Sequence, residues 1–150
     1  MDTIQVYKCL CDTQRLRILN LLSVSPLCVC HLQEILNETQ VKTSKQLAYM
    51  KKLGMVVSER HGQWMIYRLP DEPHPLLTAN LQCLQDCGTE MEIFRQDLAT
   101  RSKILGRLAK NGDECPAPFS GRVFKTVPGR KSDIQKPATP IHHLQSPTPS

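Results

Sequence analysis

Thr39-Gln40-Val41-Lys42-Thr43-Ser44-Lys45-Gln46-Leu47-Ala48-Tyr49-Met50-Lys51-Lys52-Leu53, followed by Gly54, is the stretch that decides the fold. Thr39 is a helix N-cap, Gly54 a helix stop, and Val41, Leu47, Met50 and Leu53 between them form an apolar stripe. That assignment turns Gln40, Lys42, Thr43, Ser44, Lys45 and Gln46 outward over the first turn and a half. Gln carries a donor–acceptor pair suited to adenine, Ser and Thr bond bases or phosphates, and Lys neutralises phosphate. By itself a Lys-rich polar face is the ordinary solvated side of a helix, so its neighbours must decide.

Upstream, the spacing of Ile4, Val6, Tyr7 and Leu10 predicts a short helix over 3–10. Asp12 caps a second, whose core face holds Leu16, Ile18, Leu19, Leu21 and Leu22. Ser25-Pro26 repeats the start signal, with Ser at the cap and Pro at the first helical position, for a helix running to about Leu36. Asn37-Glu38 forms the turn. Downstream, the β-prone runs 55–60 and 63–68 flank His61-Gly62, a two-residue hairpin signal. This order makes a mainly α chain with a small β-hairpin, a winged helix–turn–helix. In that fold the later helix enters the major groove of double-stranded DNA, and Arg60 and His61 at the hairpin tip reach the flanking backbone or minor groove.

After Pro70, Pro73 and Pro75 a helical pattern resumes from about His74. Asp86-Cys87-Gly88 reads as an end, and Thr89-Glu90-Met91-Glu92 as a capping box that restarts the chain. Leu84, Cys87, Met91, Phe94, Leu98, Leu105 and Leu108 recur in steps of three and four, with Arg101 the mismatch; this stripe is assigned to packing and dimerisation. Residues 1–110 thus form one DNA-binding and dimerisation domain. Residues 111–150 hold seven of the eleven prolines and cannot bury enough apolar surface to offset their ordering entropy, so a disordered tail is expected. It adds weak DNA attraction or serves as a plain spacer.

The chain is only mildly basic over 1–110, with 14 Lys/Arg against 11 Asp/Glu, so the position of charge matters more than its total. No run approaches the roughly 20 apolar residues of a membrane span. With no secretory signal, a reducing cytoplasmic setting is expected, where the seven cysteines bind metal, sense oxidants or act as small buried hydrophobes. No Cys–His–Asx spacing, phosphate loop or carboxylate pair points to an enzyme.

Cys28-Val29-Cys30 is the sharpest chemical signal. Two thiolates suit a soft, thiophilic ion, and the same pair suits thiol oxidation or persulfide uptake. With Ser25 as cap, Cys28 falls in the first helical turn, where the helix dipole favours thiolate. On an ideal helix residues i and i+2 point about 200° apart, so both reach one ion only by distorting the helix.

Taken together, Asp12-Thr13-Gln14-Arg15-Leu16-Arg17-Ile18-Leu19, the thiol box Leu27-Cys28-Val29-Cys30-His31-Leu32, the run Leu47–Val56 and the run Gly62–Leu69 resemble the ArsR/SmtB family of metal-responsive bacterial repressors. The resemblance spans about residues 3–100. It implies a homodimer on an inverted-repeat operator, its two reading heads about 34 Å apart. It further implies release when As(III), Sb(III) or another thiophilic metal binds, with no resident cofactor. In arsenic sensors of this kind a third Cys stands where this chain has Gln33, so Cys115 in the tail is the candidate third metal ligand beside Cys28 and Cys30. Cys9 or Cys11 is the second option and His31 a weaker one. The family's zinc site on the C-terminal helix is expected to be absent, because ten residues after His74 stand only Leu84 and Gln85. Cys83 and Cys87 meet Cys9 and Cys11 at a dimer interface, or are small core residues.

Overall fold

The computed structural model describes residues 2–87 and 91–111, with side chains as far as Arg107. Three helices start as their caps dictate. Asp2 opens α1 (Thr3–Leu10), Asp12 opens α2 (Thr13–Val24) by accepting the Arg15 N–H at 3.0 Å, and Thr39 opens α4 (Gln40–Lys52) by accepting the Lys42 N–H at 3.3 Å. Between α2 and α4 lies α3 (Val29–Leu36), which ends on Asn37 in the left-handed region at φ 50°. Asn tolerates that conformation better than other non-glycine residues, so the turn falls at Asn37-Glu38.

The start of α3 corrects the sequence reading. Ser25-Pro26 caps no helix: Ser25 closes α2 in an extended conformation (φ −166°, ψ 161°), the geometry that a following proline imposes. Leu27–Cys28 then form strand β1. β1 pairs antiparallel with β3 (Trp64–Arg68), placing Leu27 opposite Tyr67 and Cys28 opposite Ile66. On its other edge β3 pairs with β2 (Val57–His61), so the sheet order is β1-β3-β2. The small hairpin is therefore a three-stranded sheet. Leu27 and Cys28 are buried, and pairing with β3 satisfies backbone groups that would otherwise be orphaned.

The hairpin loop is displaced by one residue from its expected place. His61 pairs with Trp64, leaving Gly62-Gln63 as the loop. Gly62 takes φ 61° while Gln63 is not among the positive-φ residues, the arrangement in which glycine must come first. His61 can stay in the strand.

α5 (Pro75–Cys87) and α6 (Glu92–Asn111) follow, α5 opening where His74 Nδ1 accepts the Leu76 N–H at 3.1 Å. They are two helices, as expected; Thr89 and Glu90 of the capping box lie outside the described residues. α2 is the centre of the core. Its Ile18, Leu19, Leu21 and Leu22 meet Val6 and Cys9 of α1, Leu32 and Leu36 of α3, Leu47 and Met50 of α4, Leu77 and Leu81 of α5 and Ile104 of α6. Phe94 is buried, and Leu98 and Leu105 pack half-buried against the core, which accounts for the packing part of the C-terminal stripe. Cys87 and Met91 are exposed.

Polar contacts tie α6 to the rest. Arg17 makes a two-pronged pair with Asp97, Nε–Oδ2 2.8 Å and Nη2–Oδ1 2.7 Å. Arg101, the mismatch in the stripe, donates to Ser25 Oγ at 2.5 Å; burial holds its guanidinium pKa below the usual value. Arg107 reaches Glu34 of α3 at 3.0 Å. Among the described residues no helix is long and apolar enough to cross a membrane.

Candidate nucleic-acid interface and thiol site

The facing of α4 follows from which side chains it buries. Thr43, Leu47 and Met50 point inward at i, i+4 and i+7, so Gln40, Lys42, Ser44 and Lys45 are exposed along its N-terminal half. Two sequence expectations exchange places here. Thr43 is only 1% exposed and faces the core, and Val41, assigned to the core, is 63% exposed. They lie two residues, about 200°, apart, so one cannot be buried without exposing the other. Thr43 Oγ1 has no partner among the described residues. Thr43→Val, which removes this buried unpaired hydroxyl, is expected to stabilise the protein by about 1 kcal/mol in urea unfolding and to leave DNA affinity unchanged.

Gln46 is half-buried, and its Oε1 accepts from Arg15 Nε at 2.7 Å. The Arg15 guanidinium lies over the Tyr49 ring, 4.2 Å from its centroid. Arg15 thus holds two side chains of α4 and leaves the Gln46 amide NH₂ for an outside acceptor. Spacing alone could not reveal this contact, because the partners are 31 residues apart.

Arg60 and His61 are exposed at the end of β2, beside the loop. His61 Nε2 lies 3.6 Å from Glu59, and Arg68 pairs with the same carboxylate at 2.7 Å, which holds the Glu59 carboxyl below its usual range. Lys51 and Lys52 extend the cationic face at the far end of α4. A polar chain runs from α6 to α4: Asp97 to Arg17, Arg17 to Gln14 Oε1 at 3.0 Å, Gln14 to Glu38 at 3.4 Å, and Glu38 to Lys42 at 3.4 Å.

The thiols converge for a reason the helical projection misses. Cys28 is the N-cap of α3, extended at φ −67° and ψ 148°, so it lies outside the first turn and the 200° separation does not apply. The two sulfurs approach to 2.8 Å. That lies between the about 2.05 Å of a disulfide and the roughly 3.8 Å spanned by two thiolates on one tetrahedral ion with 2.3 Å metal–sulfur bonds. Cys28 is buried against Ile66 and Trp64 of β3; Cys30 is exposed, so one sulfur has an apolar wall and the other faces solvent.

Among the described residues no third Cys, His, Asp or Glu joins this pair to form a metal-binding group. His31 is buried and does not complete one. Cys9 is buried, and burial pushes its thiol pKa up despite the opposing charge of Arg15, which makes it a poor source of thiolate. Cys11, Cys83 and Cys87 are exposed, and Cys115 lies outside the described residues.

Residues 12–58 match the family described as "Bacterial regulatory protein, arsR family". The arsenic resistance transcriptional regulator ArsR2 of Pseudomonas putida is 43% identical over 82 residues, which cover 51% of this chain and 71% of that protein. The chain belongs to the arsR family. It is a DNA-binding regulator and not an enzyme. This arsR-family chain is also 42% identical over 72 residues to the arsenical resistance operon repressor of Escherichia coli, covering 47% of the chain and 60% of the repressor. A cadmium resistance transcriptional regulatory protein CadC homolog of Staphylococcus aureus is 34% identical over 73 residues, 48% of the chain and 60% of the homolog. Among solved structures, reduced HlyU from Vibrio cholerae superposes with a TM-score of 0.51 at 25% identity, over 55% of the chain and 84% of HlyU. The element order α2-β1-α3-α4-β2-β3 is that of a winged helix–turn–helix.

Proposed function

We propose that this protein is a transcriptional repressor that leaves its operator when a thiophilic metal or metalloid binds Cys28 and Cys30, with As(III) or Sb(III) favoured. The convergence of the two sulfurs at 2.8 Å, where the strand that joins the wing runs into α3, carries the reading. The arsenic and cadmium regulators among its relatives support the class of inducer. Gln40, Lys42, Ser44, Lys45 and Gln46 meet the major groove, and Arg60 and His61 meet the flanking backbone. The working unit is a homodimer of the 1–110 domain on an inverted repeat, acting in the cytoplasm without a resident cofactor. Cys115, from the 111–150 tail, supplies the third thiolate.

An ion at this site spreads the sulfurs beyond their present separation. Cys28 then pulls on β1 and, through the ladder, on β3 and the wing. Cys30 pulls on the first turn of α3, the helix that supports α4. Both reading elements move without loss of a base contact residue.

The test is an operator-binding assay in which arsenite, antimonite, cadmium and zinc are titrated separately. Release by arsenite or antimonite at the lowest concentration is expected, and release that is the same in Cys28→Ser/Cys30→Ser protein would sink the role of the pair. A Cys115→Ser variant that keeps full arsenite affinity removes the tail thiol from the site.

The same sulfur separation favours a second reading, a redox switch. Peroxide would take two electrons from the two thiols, forming one S–S bond and two waters. Metal-independent release by peroxide, reversed by dithiothreitol, distinguishes it.

A further inference from the structure

We infer that Val41 reads a thymine methyl group in the operator, so that the reading helix recognises DNA partly by apolar contact. This rests on the assignment of α4 to the major groove. Val41 lies in the first turn of α4, 63% exposed, between the exposed side chains of Gln40 and Lys42. A β-branched residue is a poor choice for an exposed helical position: it loses χ1 freedom and buries nothing in return. Helix propensity does not explain it, and neither does the core, which takes Thr43 instead. A lone exposed apolar residue is ordinary on a protein surface; this one sits at the place where side chains meet base edges.

Its helical neighbours fit the same use. Ser44, Lys45 and Ala48 follow at i+3, i+4 and i+7 on the same face, and all three are exposed. The outward face therefore alternates apolar contact (Val41, Ala48) with hydrogen-bonding and charged groups (Ser44, Lys45). The thymine C5-methyl is the apolar feature of the major-groove code, and small apolar side chains are its usual partners. Val41 sits early enough in α4 to enter the groove with Gln40, and its two methyl groups offer no competing hydrogen bond. It discriminates thymine from cytosine at one position in each half-site.

The experiment starts from a random duplex pool. Full-length protein selects its preferred sequence, and each thymine of that sequence is then replaced in turn by deoxyuridine, which removes only the methyl group. One position per half-site is expected to weaken binding about four-fold, the worth of one buried methyl group. Val41→Ser, a surface change the fold tolerates, is expected to bind thymine and deoxyuridine equally at that position while keeping its penalties elsewhere. A selected half-site without thymine, indifference of the unaltered protein to every deoxyuridine, or an undiminished penalty in Val41→Ser overturns the inference alone. Failure to select any sequence overturns the assignment of α4 as the base reader.

Discussion

Asp97→Ala is expected to lower the unfolding free energy by about 3–5 kcal/mol, read as a fall in the urea midpoint at unchanged slope. Asp97 is buried, and its carboxylate meets both prongs of the Arg17 guanidinium at 2.7 and 2.8 Å. The size comes less from the lost attraction than from what remains. Arg17 stays nearly buried and charged, with Gln14 as its remaining hydrogen-bond partner. A contrast isolates this cause. Glu34 and Arg107 also join α6 to the body, but both are about half exposed, so Glu34→Gln should cost under about 1 kcal/mol. Replacing both buried partners, as in Arg17→Met with Asp97→Leu, should recover most of the loss, because no unpaired charge is left behind. Equal losses from Asp97→Ala and Glu34→Gln would show that burial does not set the cost.

The second large effect concerns the thiols. Cys28→Ser is expected to weaken arsenite binding by more than about 100-fold, since loss of a mere supporting partner already weakens metal sites by 10- to 100-fold. The chain carries its own reporter: Trp64, the one tryptophan in the sequence, packs against Cys28. Arsenite should therefore change Trp64 emission in the unaltered protein and leave it unchanged in Cys28→Ser. An arsenite response of Trp64 that survives Cys28→Ser would place the inducer elsewhere.

Much of the architecture was legible because its signals are local. Asp12, Thr39, Asn37 and Gly54 do their work within a few residues of where they stand, and the two-residue loop needs only a glycine and flanking β-prone runs. The errors share one cause, competition between local preference and distant partners. Pro26 reads locally as a helix start, yet it stiffens the chain before a strand, because the open edge of β3, some forty residues on, takes Leu27 and Cys28 as a partner. Thr43 and Val41 exchanged places because Thr carries a methyl group that packs while its hydroxyl makes it look polar. At the site, Cys28-Val29-Cys30 was found by spacing, but its geometry was misjudged once Cys28 was taken as helical. Arg15 with Gln46 and Arg17 with Asp97 join residues 31 and 80 apart, and no periodicity records such pairs.

β1 is two residues long, with two partners on β3. So short a ladder is easily broken: each of its few hydrogen bonds contributes a net of about 1 kcal/mol. Thiolate coordination releases far more, on the order of 10–16 kcal/mol at structural zinc sites. If Cys28 and Cys30 take the inducer as proposed above, the attachment of the wing is a low-threshold trip: a small part of the binding energy would release it, and the remainder would stay available as affinity. On that proposal the regulator would respond at low inducer concentration because the ladder it must open has only two residue pairs.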